Sequence, residues 1–329
     1  SRNDGRLIKQ GSGEQVIAGR IQPGSSSKAR LNVREGSVRL AAGAEVTLTN
    51  AAVRDVLTFE TPSAGADYRA VVMEPGSKMT ATCLWMGGNS KTNVVEINQA
   101  ELYLPGYANT NGPDALVLTP GGNSSNLCSL VVNGGALVTG DAGWVVLGAN
   151  QGNSRLVINN GSASLGQVSF GLRDTLGYTF SGVQADITVV SNGSLVVRNR
   201  LNWNGWNASD RVNTLALNGG FAALPPTFAV PTNAGLSQVV FNGGTVSLPG
   251  GGWDVESPTN YLNGLSRIVI GEHGGGIDVP FNRSAGVRQT LMQDSAWTGT
   301  VRALRKCGLG TLSLQRVPRF KGEVDIQAG

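Results

Sequence analysis

The chain has 329 residues, of which 47 are glycine and only 15% are charged; glycine is about twice its ordinary share and charge falls well short of the usual quarter. The formal net charge is +4 from scattered basic residues, without the contiguous basic stripe and aromatic partners of a nucleic-acid binder, and no run of eighteen apolar residues marks a membrane-spanning helix. Three cysteines, Cys83, Cys128 and Cys307, are too sparse for a disulfide framework and lack metal-ligand spacing; whether Cys83 and Cys128 pair stays open.

Taken in order, the chain offers short alternating runs and no convincing amphipathic helix. "KQGSGEQVI" (9–17) opens it, followed by "LNVREGSVRL" (31–40), "AVVMEPGSKMTA" (70–81) and "VVEINQAELYL" (94–104). A more regular series follows: "LVVNGGALV" (130–138), "LVINNGSASL" (156–165), "ITVVSNGSLVV" (187–197), "LALNGGFAAL" (215–224), "VVFNGGTVSL" (239–248) and "RIVIGEHGGGIDV" (267–279). Glycines 134, 161, 193, 219, 243 and 275 are spaced 27, 32, 26, 24 and 32 apart. Each unit reads as strand, tight turn, strand, with Asn and Gly supplying the positive φ of a sharp corner. A lone pair of such strands cannot bury its apolar face, but stacked coils can. Propeller blades need about 40 residues or more. The expectation is therefore an all-β parallel β-helix, or β-solenoid, with loop insertions. It forms one unit over 1–329, with less regular coils and longer loops over 1–130 and regular Asn-Gly-Gly coils over 131–329.

The chemistry-bearing residues are few. His273 is the single histidine and has no local catalytic partner. Lys306 and Lys9 precede Gly-x-Gly, whereas a phosphate loop places lysine after its glycines and before a helix. Asp254 and Glu256 in "GGWDVES" form an acidic pair that alternation puts on one strand face, a weak candidate for a hydrolase. Arg198 and Arg200 in "VVRNRLNW" are same-face candidates for a lyase base. Trp203 and Trp206 in "NWNGWN" suggest a carbohydrate platform, with the alternative that they fold back over apolar surface. Metal clusters and cofactor motifs are lacking.

The last third carries a resemblance. "KCGLGTLSL" (306–314), with Lys306, Gly308, Gly310, Thr311, Leu312 and Leu314, is similar to the signature of the autotransporter-associated β-strand repeat, also called the passenger-associated transport repeat. "GGGIDVPFN" (274–282) before it and "FKGEVDIQAG" (320–329) after it fit the same pattern, and "LIKQGSGEQVI" keeps the lysine and both glycines. The resemblance covers about 267–329 and implies a right-handed β-helix in a secreted or surface-attached bacterial protein, with no catalytic residues to carry over. The expected function is a non-enzymatic structural or adhesive rod or filament. The alternatives are a polysaccharide-degrading enzyme and a glycan-binding module. The opening "SRNDGR", without a signal peptide, suits a segment of a longer protein, and uncapped coil edges suit end-to-end self-association.

Overall fold

The computed structural model describes residues 4–22, 28–48, 57–59, 68–88, 91–106, 114–120, 126–148, 152–171, 184–203, 211–225, 228–229, 235–248, 261–262 and 265–327. These residues form a parallel β-solenoid with three walls. The first three strands, Asp4–Lys9, Glu14–Ile17 and Arg20–Ile21, visit the walls in turn. Lys28–Val33, Gly36–Leu40 and Glu45–Leu48 then repeat the circuit, each pairing parallel with its predecessor. The second wall continues as an eleven-stranded sheet to Leu291–Gln293. The first and third walls merge into one nineteen-stranded sheet, because Ser162–Phe170 and Ser194–Asn202 each run round the corner between them. A coil advances the chain by as few as 20 residues (Leu304 to Val324) and as many as 35 (Val94 to Ser129).

Alternation explains the core. In Thr92–Asn98 every second residue is buried, as strand geometry requires when one face lines an interior. Successive coils stack these residues in columns: one runs from Val38 through Val71, Val95, Leu130 and Leu156 to Leu291, none more than 1% exposed. Each such side chain contributes about 1.5–3 kcal/mol by leaving water. In the later coils the first-wall strand escaped the sequence pattern. Trp144–Leu147 is buried on both faces, so its alternation is invisible.

The corner from the second to the third wall is the constant feature of the fold. In the first ten coils two to four residues join the two walls. The third-wall register aligns Gly43, Gly76, Gln99, Gly134, Asn160, Asn192, Gly219, Gly243 and Gly274, and all nine have φ between 48° and 91°. Glycine takes that conformation freely and asparagine more easily than other L residues. Aligned residues also bond along the stack: Gly76 N–H donates to Gln99 O (2.9 Å), and Gly243 N–H to Gly274 O (2.8 Å). The true steps from 134 onward are 26, 32, 27, 24 and 31, because Asn160 and Asn192 stand where other coils place the first glycine of Gly-Gly. The second glycine serves close approach instead. A Cβ on Gly135 would lie 2.4 Å from Ala100 O.

Candidate functional site

Lys306 stacks on the core residue Ile277 and is buried. Its Nζ turns to the corner and donates to Gly308 O at 2.5 Å. Gly308 has φ 73°, and a Cβ there would meet Val279 O at 2.4 Å. A Cβ on Gly310 would meet Pro280 O at 2.3 Å. Thr311–Leu314 then pairs with Ser284–Val287, with Leu312 and Leu314 against the core and Thr311 and Ser313 outward. Lys9 does the same at the other end: its Nζ donates to Gln10 O (3.0 Å), Glu35 O (3.1 Å) and Gly11 O. Both amino groups donate to backbone carbonyl oxygens, which is the reverse of a phosphate cradle lined by N–H donors. The two turns share chemistry but not position. The Lys9 turn joins the first wall to the second, whereas the Lys306 turn leaves the third wall.

The corner from the first wall to the second is the variable one. Its connections run from two residues (Val33 to Gly36) to thirteen (Phe170 to Gln184). Inside this corner stacks a polar column: Arg69, Asn93, Cys128 and Ser154, then, after Ala185, Asn213 and Ser237. All are buried. Their side chains meet backbone oxygens where the first wall ends. Cys128 Sγ donates to Met86 O (3.5 Å), Ser154 Oγ to Leu118 O (3.0 Å) and Asn213 Nδ2 to Trp203 O (2.7 Å). Buried carbonyls need such partners when the ladder stops supplying them. Burial pushes the Cys128 thiol up to about 12, against the opposing pull of the Asn93 amide and the Arg69 guanidinium. It is therefore an inert thiol. Cys83 and Cys128 are both buried and are not joined by a disulfide, which answers the pairing question.

Trp203 is not a sugar platform. It is fully buried and stacks on Phe170, with ring centroids 5.1 Å apart and planes 11° apart, so neither ring face is open to a ligand. Its surroundings in sequence, Asn and Gly, gave no sign of this. Trp206, Asp254 and Glu256 lie outside the described residues. Arg198 and Arg200 do not share a face: the register shifts between Leu165 and Gln167 as the strands turn the corner. Arg198 is bound by Asp141 Oδ1 (2.7 Å), Thr139 O (2.5 Å) and Ser164 Oγ. Arg200 lies over Trp144, 5.9 Å from the ring centroid, and donates to Asn202 Oδ1 (2.9 Å). His273 is exposed at a corner, its backbone N–H donating to Asn242 Oδ1 (3.2 Å).

The outward face of the second wall carries an ordered ladder. Arg267 Nε donates to Gln238 Oε1 (2.7 Å), and Gln238 Nε2 to Thr214 Oγ1 (3.1 Å). Beyond Thr214 stands Asp186, whose carboxyl burial pushes up, while the Thr214 hydrogen bond and Arg155 pull it down. Beside this ladder, Gln238, Val240, Arg267, Val269 and Met292 line a shallow groove of about 180 Å³. Among the described residues no cluster of His, Cys, Asp or Glu is placed to hold a metal ion, and no helix is long and apolar enough to cross a membrane. No family model, curated protein or solved structure matches this chain.

Proposed function

We propose that the chain is a non-enzymatic structural and adhesive segment of a secreted or surface-attached bacterial protein, a β-helical passenger domain of the autotransporter-associated type. Eleven strands at about 4.8 Å spacing make a rod roughly 50 Å long. The observation that carries the reading is the contrast between corners: one is held to two to four residues through ten coils, while the other accepts connections of two to thirteen. A rod with one constant edge and one variable edge is suited to displaying contacts, because loops on a rigid scaffold carry binding. The spent state of the Lys9, Lys306 and Arg198 head groups supports a structural role for them.

Two assays on the full chain test this. In a polysaccharide degradation screen no activity is expected. In glycan-array and cell-surface binding, signal is expected and is lost when residues 172–183 are replaced by a short Gly-Ser link. Degradation of a polysaccharide that disappears in Asp254→Ala or Glu256→Ala would overturn the reading in favour of an enzyme. Binding that survives every loop replacement would overturn the display role.

A further inference from the structure

Charge is unevenly shared along the chain. Residues 280–329 hold eight Lys and Arg against three Asp and Glu, whereas residues 1–279 hold eighteen against nineteen. Cations earlier in the chain find partners within the rod: Arg20 with Glu45 (3.3 Å), Arg39 with Glu14 (3.0 Å), Lys78 with Glu101 (3.1 Å) and Arg198 with Asp141 (2.7 Å). Arg288, Arg316, Arg319 and Lys321 are exposed, and their side chains have no ion pair or hydrogen bond among the described residues. These groups share one side of the rod. Arg288 and Arg316 follow the first-wall strands Ser284–Val287 and Thr311–Leu314, at the corner into the second wall, on successive coils. Arg319 bridges to Met292 and so continues the outward column of Val269 and Met292. Arg267 stands one coil before Met292, in the neighbouring column. Guanidinium groups therefore recur on three successive coils, about 4.8 Å apart along the axis.

Beside these cations lie the shallow groove of about 180 Å³ and the side chains of Met292 and Val317, 43% and 82% exposed. Acids at this end of the face are Asp294, at the rim of the groove, whose Oδ1 accepts the Ala296 N–H (3.0 Å), and Asp186, three coils back in the Arg267 column. Glu272 and Glu323 lie at the far corner, toward the third wall. We infer that this end of the second wall binds a linear acidic polysaccharide lying along the rod axis, its anionic groups on Arg267, Arg288, Arg316 and Arg319. A planar guanidinium presents paired donors that match the oxygens of such groups. Cations repeated coil by coil suit a polymer with repeated charge better than one compact anion. Met292 and Val317 offer apolar contact to the C–H faces of sugar rings. Nucleic acid fits less well, because its bases want aromatic faces and the nearby Trp297 and Phe320 pack against the core. A bilayer wants bulky aromatic or Leu anchors, and the exposed apolar groups here are one Met and one Val.

The inference goes beyond the display reading, since the site lies on a wall and no loop replacement removes it; the loop assays are then read on uncharged glycans. Isothermal titration of the full chain with polygalacturonate and with heparin, at about 0.15 M salt where charges more than about 8 Å apart are screened, is expected to show binding to at least one of them and none to neutral dextran. Arg316→Glu combined with Arg319→Glu should raise the dissociation constant at least about tenfold. The same two-charge reversal at Arg20 and Arg200, outside the row, should change it less than about twofold. Met292→Glu, at an outward position, should also weaken binding with an unchanged melting curve, and it decides the matter if the arginine variant fails to fold. No binding to either polymer, an equal loss in the Arg20→Glu, Arg200→Glu variant, or tighter binding to single-stranded DNA or to phosphatidylglycerol vesicles would each overturn the inference and leave the rod reading standing.

Discussion

Two corners of the same triangle solve opposite problems. Between the second and third walls the backbone does the work. A column of nine left-handed residues turns the chain within two to four residues, and backbone N–H groups bond to the next coil. Between the first and second walls side chains do the work. Connections of very different length leave the ladder there, and Cys128, Ser154 and Asn213 donate to backbone oxygens at the end of the first wall. The lesson is that a repeat can hold its coil spacing with one rigid corner and free another for variation, provided the free corner is lined by buried donors.

The contrast can be broken at several points. The largest effect is expected from Gly135→Val. Its Cβ would sit 2.4 Å from Ala100 O and 2.8 Å from Ala100 N, and backbone cannot move aside as a flexible side chain can. A loss of about 4 kcal/mol or more, or failure to fold, should appear in urea unfolding. Next, Lys306→Met keeps the apolar stem but leaves the Gly308 carbonyl unserved; about 1–3 kcal/mol should be lost. In the opposite direction, Gln99→Gly relieves φ 48° at a position the chain must hold left-handed and should gain about 1 kcal/mol. A loss at that position would mean the Gln99 side chain contributes more than the strain costs.

The smallest expected effect is in pH dependence. Burial raises the Asp186 carboxyl in the folded protein. The fold therefore binds that proton more tightly than the unfolded chain does, and stability falls as pH rises from the ordinary aspartate value through the raised one. Asp186→Asn should remove this slope, so that the stability difference between variant and wild type grows in the variant's favour across that window. A wild type whose stability instead rises there relative to the variant would show the Arg155 attraction outweighing burial.

Much of this was legible in the sequence, for a physical reason. Asn-Gly and Gly-Gly steps mark left-handed corners because few other residues tolerate them, so a repeating backbone conformation wrote itself into a repeating composition. Where that demand relaxed, legibility failed. Gln99 sits in the column without the composition, and the second glycine of each pair obscured the register by one residue. Trp203, between Asn202 and Asn204, looked like a surface residue and is in the core. Lys9 and Lys306 looked like ligand groups and serve carbonyls. The polar column at the variable corner stands at the inward start of each second-wall strand, ahead of the alternating apolar residues. Its meaning depends on where the preceding wall ends, which a strand pattern alone does not tell.

The most direct test places the same five-residue Gly-Ser insertion at each corner, between Asn133 and Gly134 or between Gly121 and Gly122, and compares equilibrium unfolding. The account predicts loss of the cooperative transition, or several kcal/mol of stability, at the first position. At the second it predicts a change within about 1 kcal/mol, as expected for lengthening a loop. Equal tolerance at the two corners would contradict it.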